Sequence, residues 1–248
     1  TTAERKALER LGLRPDRACI EKNHRSGSDR AFYRVTDGAT SVILVRYGLE
    51  REENDLYADH AVLLRRAGVR VPRLHAADRR NRFLVMEDAG RHSVEDLFPG
   101  WPEPDAARVY HEVIEQVFQF HRGAARLARA GRVRPMPRFD DSLCRWEHGW
   151  FETHFLRPRG VPRRTCKAVL HELRTLSRGL CGGRASLLHR DLQSSNILVQ
   201  RGRPVFIDFQ GMRLGPAAYS AAAFNGSSVC PRWLVRRDRV AAPRRIFS

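Results

Sequence analysis

The chain has 248 residues, enough for one large domain or two lobes around a sizeable core, and its 42% hydrophobic, 8% aromatic content is that of an ordinary globular protein. It contains no run of about 18 apolar residues, and its opening segment TTAERKALERLGL is charged and lacks an apolar signal core, so neither a membrane span nor export is expected and the location reads as cytoplasmic. The net charge of +17 would suit a nucleic-acid binder, but only Lys6, Lys22 and Lys167 are lysines and the arginines are spread through almost every segment before residue 231, which argues against such a partner.

After a first amphipathic helix, residues 17–24 read as a strand interrupted by Ser26, Gly27 and Ser28. Residues 31–36 and 40–46 flank Asp37 and Gly38, a dipeptide favoured in two-residue hairpin turns, and predict two antiparallel strands. Residues 50–67 carry Leu56, Val62, Leu63 and Leu64 at helical spacing, with Gly68 as the stop. Residues 72–77 and 82–86 predict two more strands. From Asp105, a candidate N-cap, a long helix presents Val109, Val113, Val117 and Tyr110, Ile114, Phe118. Helices are also predicted over 141–156 and 165–180, before Gly182 and Gly183. A sheet-rich lobe thus precedes a helical one, an α+β architecture with the segment 86–90 as the link and a cleft between the lobes. Cys19, Cys144, Cys166, Cys181 and Cys230 are odd in number and form no C-x-x-C pair, so reduced thiols are expected rather than a disulfide framework or a zinc site.

The stretch LLHRDLQSSNILVQRGRPVFIDFQ, residues 187–210, places polar residues at the ends of two short apolar runs, 196–199 and 205–207, joined by a tight turn at 201–204. The pattern His189-x-Asp191-x-x-x-x-Asn196, followed by Asp208 on the next strand, matches a phosphoryl-transfer loop. An acid beside an alkoxide-forming hydroxyl can orient it and accept its proton, which makes Asp191 the candidate catalytic base, with His189 in the same loop. Asn196 and Asp208 offer hard oxygen ligands suited to Mg²⁺ bridging nucleotide phosphates.

On these residues the chain resembles the aminoglycoside phosphotransferase and choline kinase family, small-molecule relatives of the protein kinases. LLHRDLQSSNILV is similar to that family's catalytic loop, VFIDFQ to its metal-binding strand and FLVMEDAG to its hinge, and the resemblance covers roughly residues 20–219. The stretches SGSDRAFYRV, RRAGVRVPRL, FDDSLCRWEHGWFETHFL and IDFQGMRLGPAAY are closest in texture to the bacterial amino-sugar kinases that act on N-acetylmuramate or N-acetylglucosamine. The resemblance implies a two-lobed, protein-kinase-like fold, with a nucleotide-binding lobe over 1–88 and a helical lobe over 89–219. It implies ATP and Mg²⁺ as cofactors and a small-molecule acceptor, an amino sugar or amino alcohol. Ser26, Gly27 and Ser28 would cover the phosphates, and the backbone at Glu87, Asp88 and Ala89 would meet adenine.

Two departures from the family stand out. The strand lysine that steadies ATP phosphates is absent, and Arg46 occupies the comparable place, with Asp59 or Glu53 as its acidic partner. The segment 220–248 is rich in Ala, Ser and Arg and lacks helical periodicity, so a shifted or truncated reading frame near residue 220, a largely disordered tail and impaired activity are expected. Glu147, His148 and Trp150 are candidates for meeting the acceptor. The alternative reading is a noncatalytic module, either a pseudokinase or a basic RNA-binding protein.

Overall fold

In the computed structural model the described residues are 1–23, 29–124, 126, 130–131, 135–182, 185–216 and 219. The first hairpin joins β2 (Arg30–Asp37) to β3 (Thr40–Tyr47), paired from Arg30↔Tyr47 to Asp37↔Thr40. Its turn is therefore Gly38 and Ala39, one residue beyond the expected pair, with Gly38 at φ +59° supplying the left-handed conformation a tight turn requires. Around it form β1 (Cys19–Asn23), β4 (Leu74–Asp78) and β5 (Phe83–Glu87), giving an antiparallel sheet of order β1-β2-β3-β5-β4.

Both faces of this sheet are covered. On the outer face, Val35, Val42, Leu44, Phe83 and Val85 pack against Ala7 and Leu8 of α1 (Thr2–Glu9). On the inner face, Val45, Tyr47, Leu84 and Met86 pack against α2 (Glu53–Arg66), which buries Tyr57, Ala61, Leu63 and Leu64. Successive strand residues point to opposite faces. The odd positions of β3 therefore look inward and the even ones outward.

The second lobe opens with the short helix α3 (Val94–Leu97) and with α4 (Glu103–Gln119), which starts two residues before the expected cap and continues as a π-helical turn, Phe120–Ala124. Helices α5 (Asp141–Phe151) and α6 (Arg163–Cys181) follow, α5 running on through a π-helical turn, Glu152–Leu156. Then come β6 (Ala185–Leu188), the hairpin β7 (Ile197–Gln200) and β8 (Arg203–Phe206), and β9 (Arg213–Pro216), which pairs back onto β6. The tight turn expected at 201–204 is Arg201 and Gly202, both with positive φ.

One core cluster is common to both lobes, joining Val45, Tyr57, Leu64 and Met86 to Tyr110, Val113, Phe120, Leu187, Ile197, Phe206 and Phe209. Gln200 adds a polar clasp: its amide donates to Glu87 Oε1 (2.9 Å) and to the Asp88 carbonyl (3.1 Å), and its oxygen accepts from Arg70 Nη2 (2.9 Å). Among the described residues no helix is long and apolar enough to cross a membrane. The segment 220–248 lies outside the described residues, as do the expectations attached to it.

Candidate active site

The cleft between the lobes has a volume of about 720 Å³. Its walls include Arg30, Phe32 and Arg34 of β2, Ile43 of β3, the hinge residues Glu87 to Gly90, and Asn196, Ile207 and Asp208 from the second lobe. The hinge thus shares one cavity with Asn196 and Asp208, although more than 100 residues separate it from them in the chain.

The loop between β6 and β7 is held by its own backbone and by one side chain. The Asp191 carbonyl accepts from Gln193 N (3.0 Å) and from Asn196 Nδ2 (2.9 Å). The Asn196 carbonyl in turn accepts from Ile207 N (3.0 Å), so the loop is tied to the residue preceding Asp208. Arg190 and Asp208 both adopt positive φ, +81° and +59°, a conformation that costs free energy in a non-glycine residue and persists where the surroundings over-determine it.

Asp191 is not among the residues lining the cleft; its charged neighbours are Arg190, Asp208, Arg213 and Glu147. Partial desolvation pushes its carboxyl above the ordinary range, Asp208 adds to the rise, and Arg190 and Arg213 oppose it. Asp208 is lowered on balance: burial raises it, but Arg30, Gln210 and His189 outweigh burial. Its Oδ1 accepts from Arg30 Nη2 and from Gln210 Nε2, each at 2.9 Å. His189 is buried between Phe120 and Phe206, with ring centroids about 6 Å away, and burial drives its pKa down to about 4. It is a neutral packing residue beneath the loop rather than a group facing the cleft. Asp208 lies just past the end of β8 and not on a strand as expected; the fully buried Phe209 beside it packs against Tyr57 of α2, ring centroids 4.7 Å apart, and anchors this segment.

At the hinge, Asp88 accepts from Arg34 Nε and Nη2 (2.6 and 2.8 Å), Ser41 Oγ (2.6 Å) and Gly90 N (3.0 Å). Its side chain is thus spent on bracing the link, while the segment itself lines the cleft. Glu87 similarly braces β4 through Arg73 N (3.0 Å) and the second lobe through Gln200. Ala89 is buried against the cavity. Gly90, at φ +105°, lets the chain turn away.

The expected Arg46 pairing is corrected. Arg46 sits on the outer face of β3, where it donates bidentately to Glu4 of α1 (2.8 and 2.9 Å) and lies over the Tyr33 ring at 5.2 Å. Asp59 pairs instead with Arg79 on the surface (2.7 Å), and Glu53 lies 3.8 Å from Arg51. The inward positions of β3 are Ser41, Ile43, Val45 and Tyr47, none of them a cation. Sequence reasoning missed Arg30, the cation that does meet Asp208; its signal was a period-two offset from Phe32 and Arg34 on the same strand. Ser26, Gly27 and Ser28 lie outside the described residues.

Of the acceptor candidates, Glu147 on α5 is close in charge to Arg190, Arg213 and Asp191, and burial raises its pKa. Trp150 is 52% exposed and stacks with His154 at 4.1 Å, on the open side of α5. His148 is half-buried one residue from Glu147.

An antiparallel sheet lobe joined by a hinge to a helical lobe, with Asn196 and Asp208 lining the cleft between them, is a protein-kinase-like arrangement. The sequence model described as the phosphotransferase enzyme family matches residues 21–241, and the chain belongs to that family. The match runs past residue 219, into the segment set apart by composition. Among curated proteins the chain is 27% identical over 203 residues to the N-acetylmuramate/N-acetylglucosamine kinase of Pseudomonas aeruginosa, covering 77% of this chain and 55% of that protein. It is 28% identical over 167 residues to the protein of the same name from Pseudomonas putida, covering 65% and 45%. The chain thus spans about half the length of the curated relatives it matches. Its fold is similar to choline kinase LicA from Streptococcus pneumoniae (TM-score 0.61, 13% identity, 90% of this chain and 73% of that one). It is also similar to a thermostable mutant of aminoglycoside phosphotransferase APH(4)-Ia in complex with ADP and hygromycin B (TM-score 0.58, 17% identity, 90% and 76%).

Proposed function

We propose that this protein transfers the γ-phosphoryl group of ATP, with Mg²⁺, to a hydroxyl of a small molecule, and that the acceptor is an amino sugar. The observation that carries the reading is that Asn196 and Asp208 line one cleft together with the hinge residues Glu87 to Gly90, while Asp191 sits in the same loop with its carbonyl bonded to the Asn196 amide. The amino-sugar assignment draws on the two curated relatives, which bear the name of kinases for such sugars.

The donor set fits a magnesium ion: a carboxylate and an amide oxygen, the few hard protein ligands this ion takes when phosphates and water complete its shell. Asp208 would hold it together with Asn196, whose amide nitrogen is committed to the Asp191 carbonyl and whose oxygen is the remaining donor atom. Bound there, the ion would neutralise charge on the phosphates. Asp191 orients the acceptor hydroxyl and takes its proton as the ester forms, and its raised pKa makes it a stronger base than an ordinary carboxylate. The hinge fixes the nucleotide, so that catalysis is chiefly positioning and charge stabilisation.

The test is a screen with labelled ATP against amino sugars, choline, ethanolamine, homoserine and aminoglycosides. An amino sugar should be the best acceptor, and Asp191→Asn should lower its kcat by roughly 10²- to 10⁴-fold without unfolding the protein. A variant that turns over as fast as the parent would remove Asp191 from this role. Absence of nucleotide binding together with tight, salt-sensitive RNA binding would favour the noncatalytic reading.

A further inference from the structure

From the cleft geometry we infer that Arg30 of β2 is the phosphate clamp of this protein, supplying from a neighbouring strand the cation that β3 does not place in the cleft. The inference rests on the nucleotide-binding reading above. Three observations lead to it. The inward positions of β3 that border the cleft and its core are Ile43 and Val45, and the strand's own cation, Arg46, points to the other face, where Glu4 holds it. Arg30 lines the cleft with its side chain only 11% exposed, and its Nη2 lies 2.9 Å from Asp208 Oδ1. The other cleft-lining arginines are engaged elsewhere: Arg34 with Asp88 and the Gly90 carbonyl, Arg91 with Glu21, Arg51 close to Glu53.

The chemistry suits the role. A guanidinium carries five donors in a planar fork and can serve a carboxylate and a phosphate oxygen together. Were Asp208 to hold a metal, Arg30 would be the cation already bonded to that same carboxylate. The Phe32 ring, 5.7 Å from the guanidinium carbon, and the cleft wall keep the side chain from swinging into solvent. Its charge is permanent, so the clamp does not depend on pH near neutrality. In the absence of nucleotide the same guanidinium neutralises Asp208, which would otherwise sit partly buried and unpaired.

The experiment is calorimetric binding of ATP, of ADP and of adenosine to the full chain, each with and without Mg²⁺, for the parent, Arg30→Met, Arg30→Lys and Arg46→Met. Loss of a charge-assisted bond to phosphate should weaken ATP binding by about 10- to 100-fold in Arg30→Met while adenosine binding stays within about twofold. Arg30→Lys should recover part of that loss, and it keeps a charge opposite Asp208, so it tests the clamp even if the methionine variant does not fold. Arg46→Met should bind ATP like the parent. The inference is overturned if both Arg30 variants bind ATP as the parent does, or if they weaken ATP and adenosine equally. A parent that binds adenosine and ATP equally well overturns the clamp alone, whereas a parent that binds no nucleotide overturns the underlying reading as well.

Discussion

Replacing Arg46 by methionine separates a structural cation from a nucleotide-binding one. In the structure Arg46 gives two charge-assisted hydrogen bonds, 2.8 and 2.9 Å, to Glu4, whose side chain is only 5% exposed. Breaking a fully buried pair by removing one partner costs about 3–5 kcal/mol. Half of the Arg46 side chain faces solvent, however, so water can replace part of what is lost, and screening brings the expected destabilisation down to about 1–2 kcal/mol. In a chain of this size that corresponds to a fall in Tm of roughly 2–8 °C. Methionine keeps apolar contact with the Tyr33 ring, so the measurement reports the ion pair and not a lost stem. The pair also predicts a pH signature. Burial raises the Glu4 pKa, but Arg46 and the terminal ammonium of Thr1 together outweigh it, and the net value is about 2 against an ordinary 4.5. A carboxylate depressed in this way adds stability above about pH 4.5, and that contribution fades as the pH falls toward 2. The gap between parent and variant in urea or thermal unfolding should therefore be full at pH 7 and shrink below pH 4.5, and Glu4→Gln, which also gives up the Thr1 ammonium, should destabilise at least as much. The KM for ATP should stay within about twofold. A variant with an unchanged Tm and a KM for ATP raised tenfold or more would refute this reasoning and return Arg46 to the nucleotide.

The buried His189, with its pKa pushed down to about 4 from an ordinary 6.5, stays neutral in the fold while the unfolded chain takes up a proton. Stability is therefore full above pH 6.5 and falls as the pH drops toward 4, by about 3 kcal/mol at most, and His189→Phe should flatten that slope; an unchanged slope would show that another group carries it. Gln200→Ala removes three hydrogen bonds between the hinge, Arg70 and β7, and should lower stability by about 1–3 kcal/mol and speed amide exchange at the hinge. Unfolding within about 0.5 kcal/mol of the parent would show that the clasp is replaced by water. Cys144 and Cys181 lie with sulfurs 3.7 Å apart across α5 and α6, and oxidised glutathione should join them, each thiol giving up a proton and an electron as two glutathione thiols form. Closing this loop, with its sequence separation of 37, should raise stability by about 2–4 kcal/mol; peptide mapping without a 144–181 crosslink would refute it.

Local chemistry carried much of this protein into view from its residues alone. The hairpin of β7 and β8, the loop from His189 to Asn196 and the following Asp208 are contiguous, so their spacing points to a phosphoryl-transfer loop before any packing is known. The order of sheet lobe, hinge and helical lobe is equally legible, because strand and helix periodicities differ and Gly68 and Gly38 punctuate them. What only tertiary structure decided is which face each side chain serves. Residues 42–45 are apolar at every position, because α1 buries one face of the sheet and α2 with the second lobe buries the other; alternation then carries no signal, and Arg46 cannot be told from an inward residue. The ion partners are likewise products of the fold: Glu4 lies 42 residues from Arg46, and Arg30 lies 178 residues from Asp208. Such pairs are set by where the packed elements bring two charges together, and no periodicity along the chain encodes a distance of that kind.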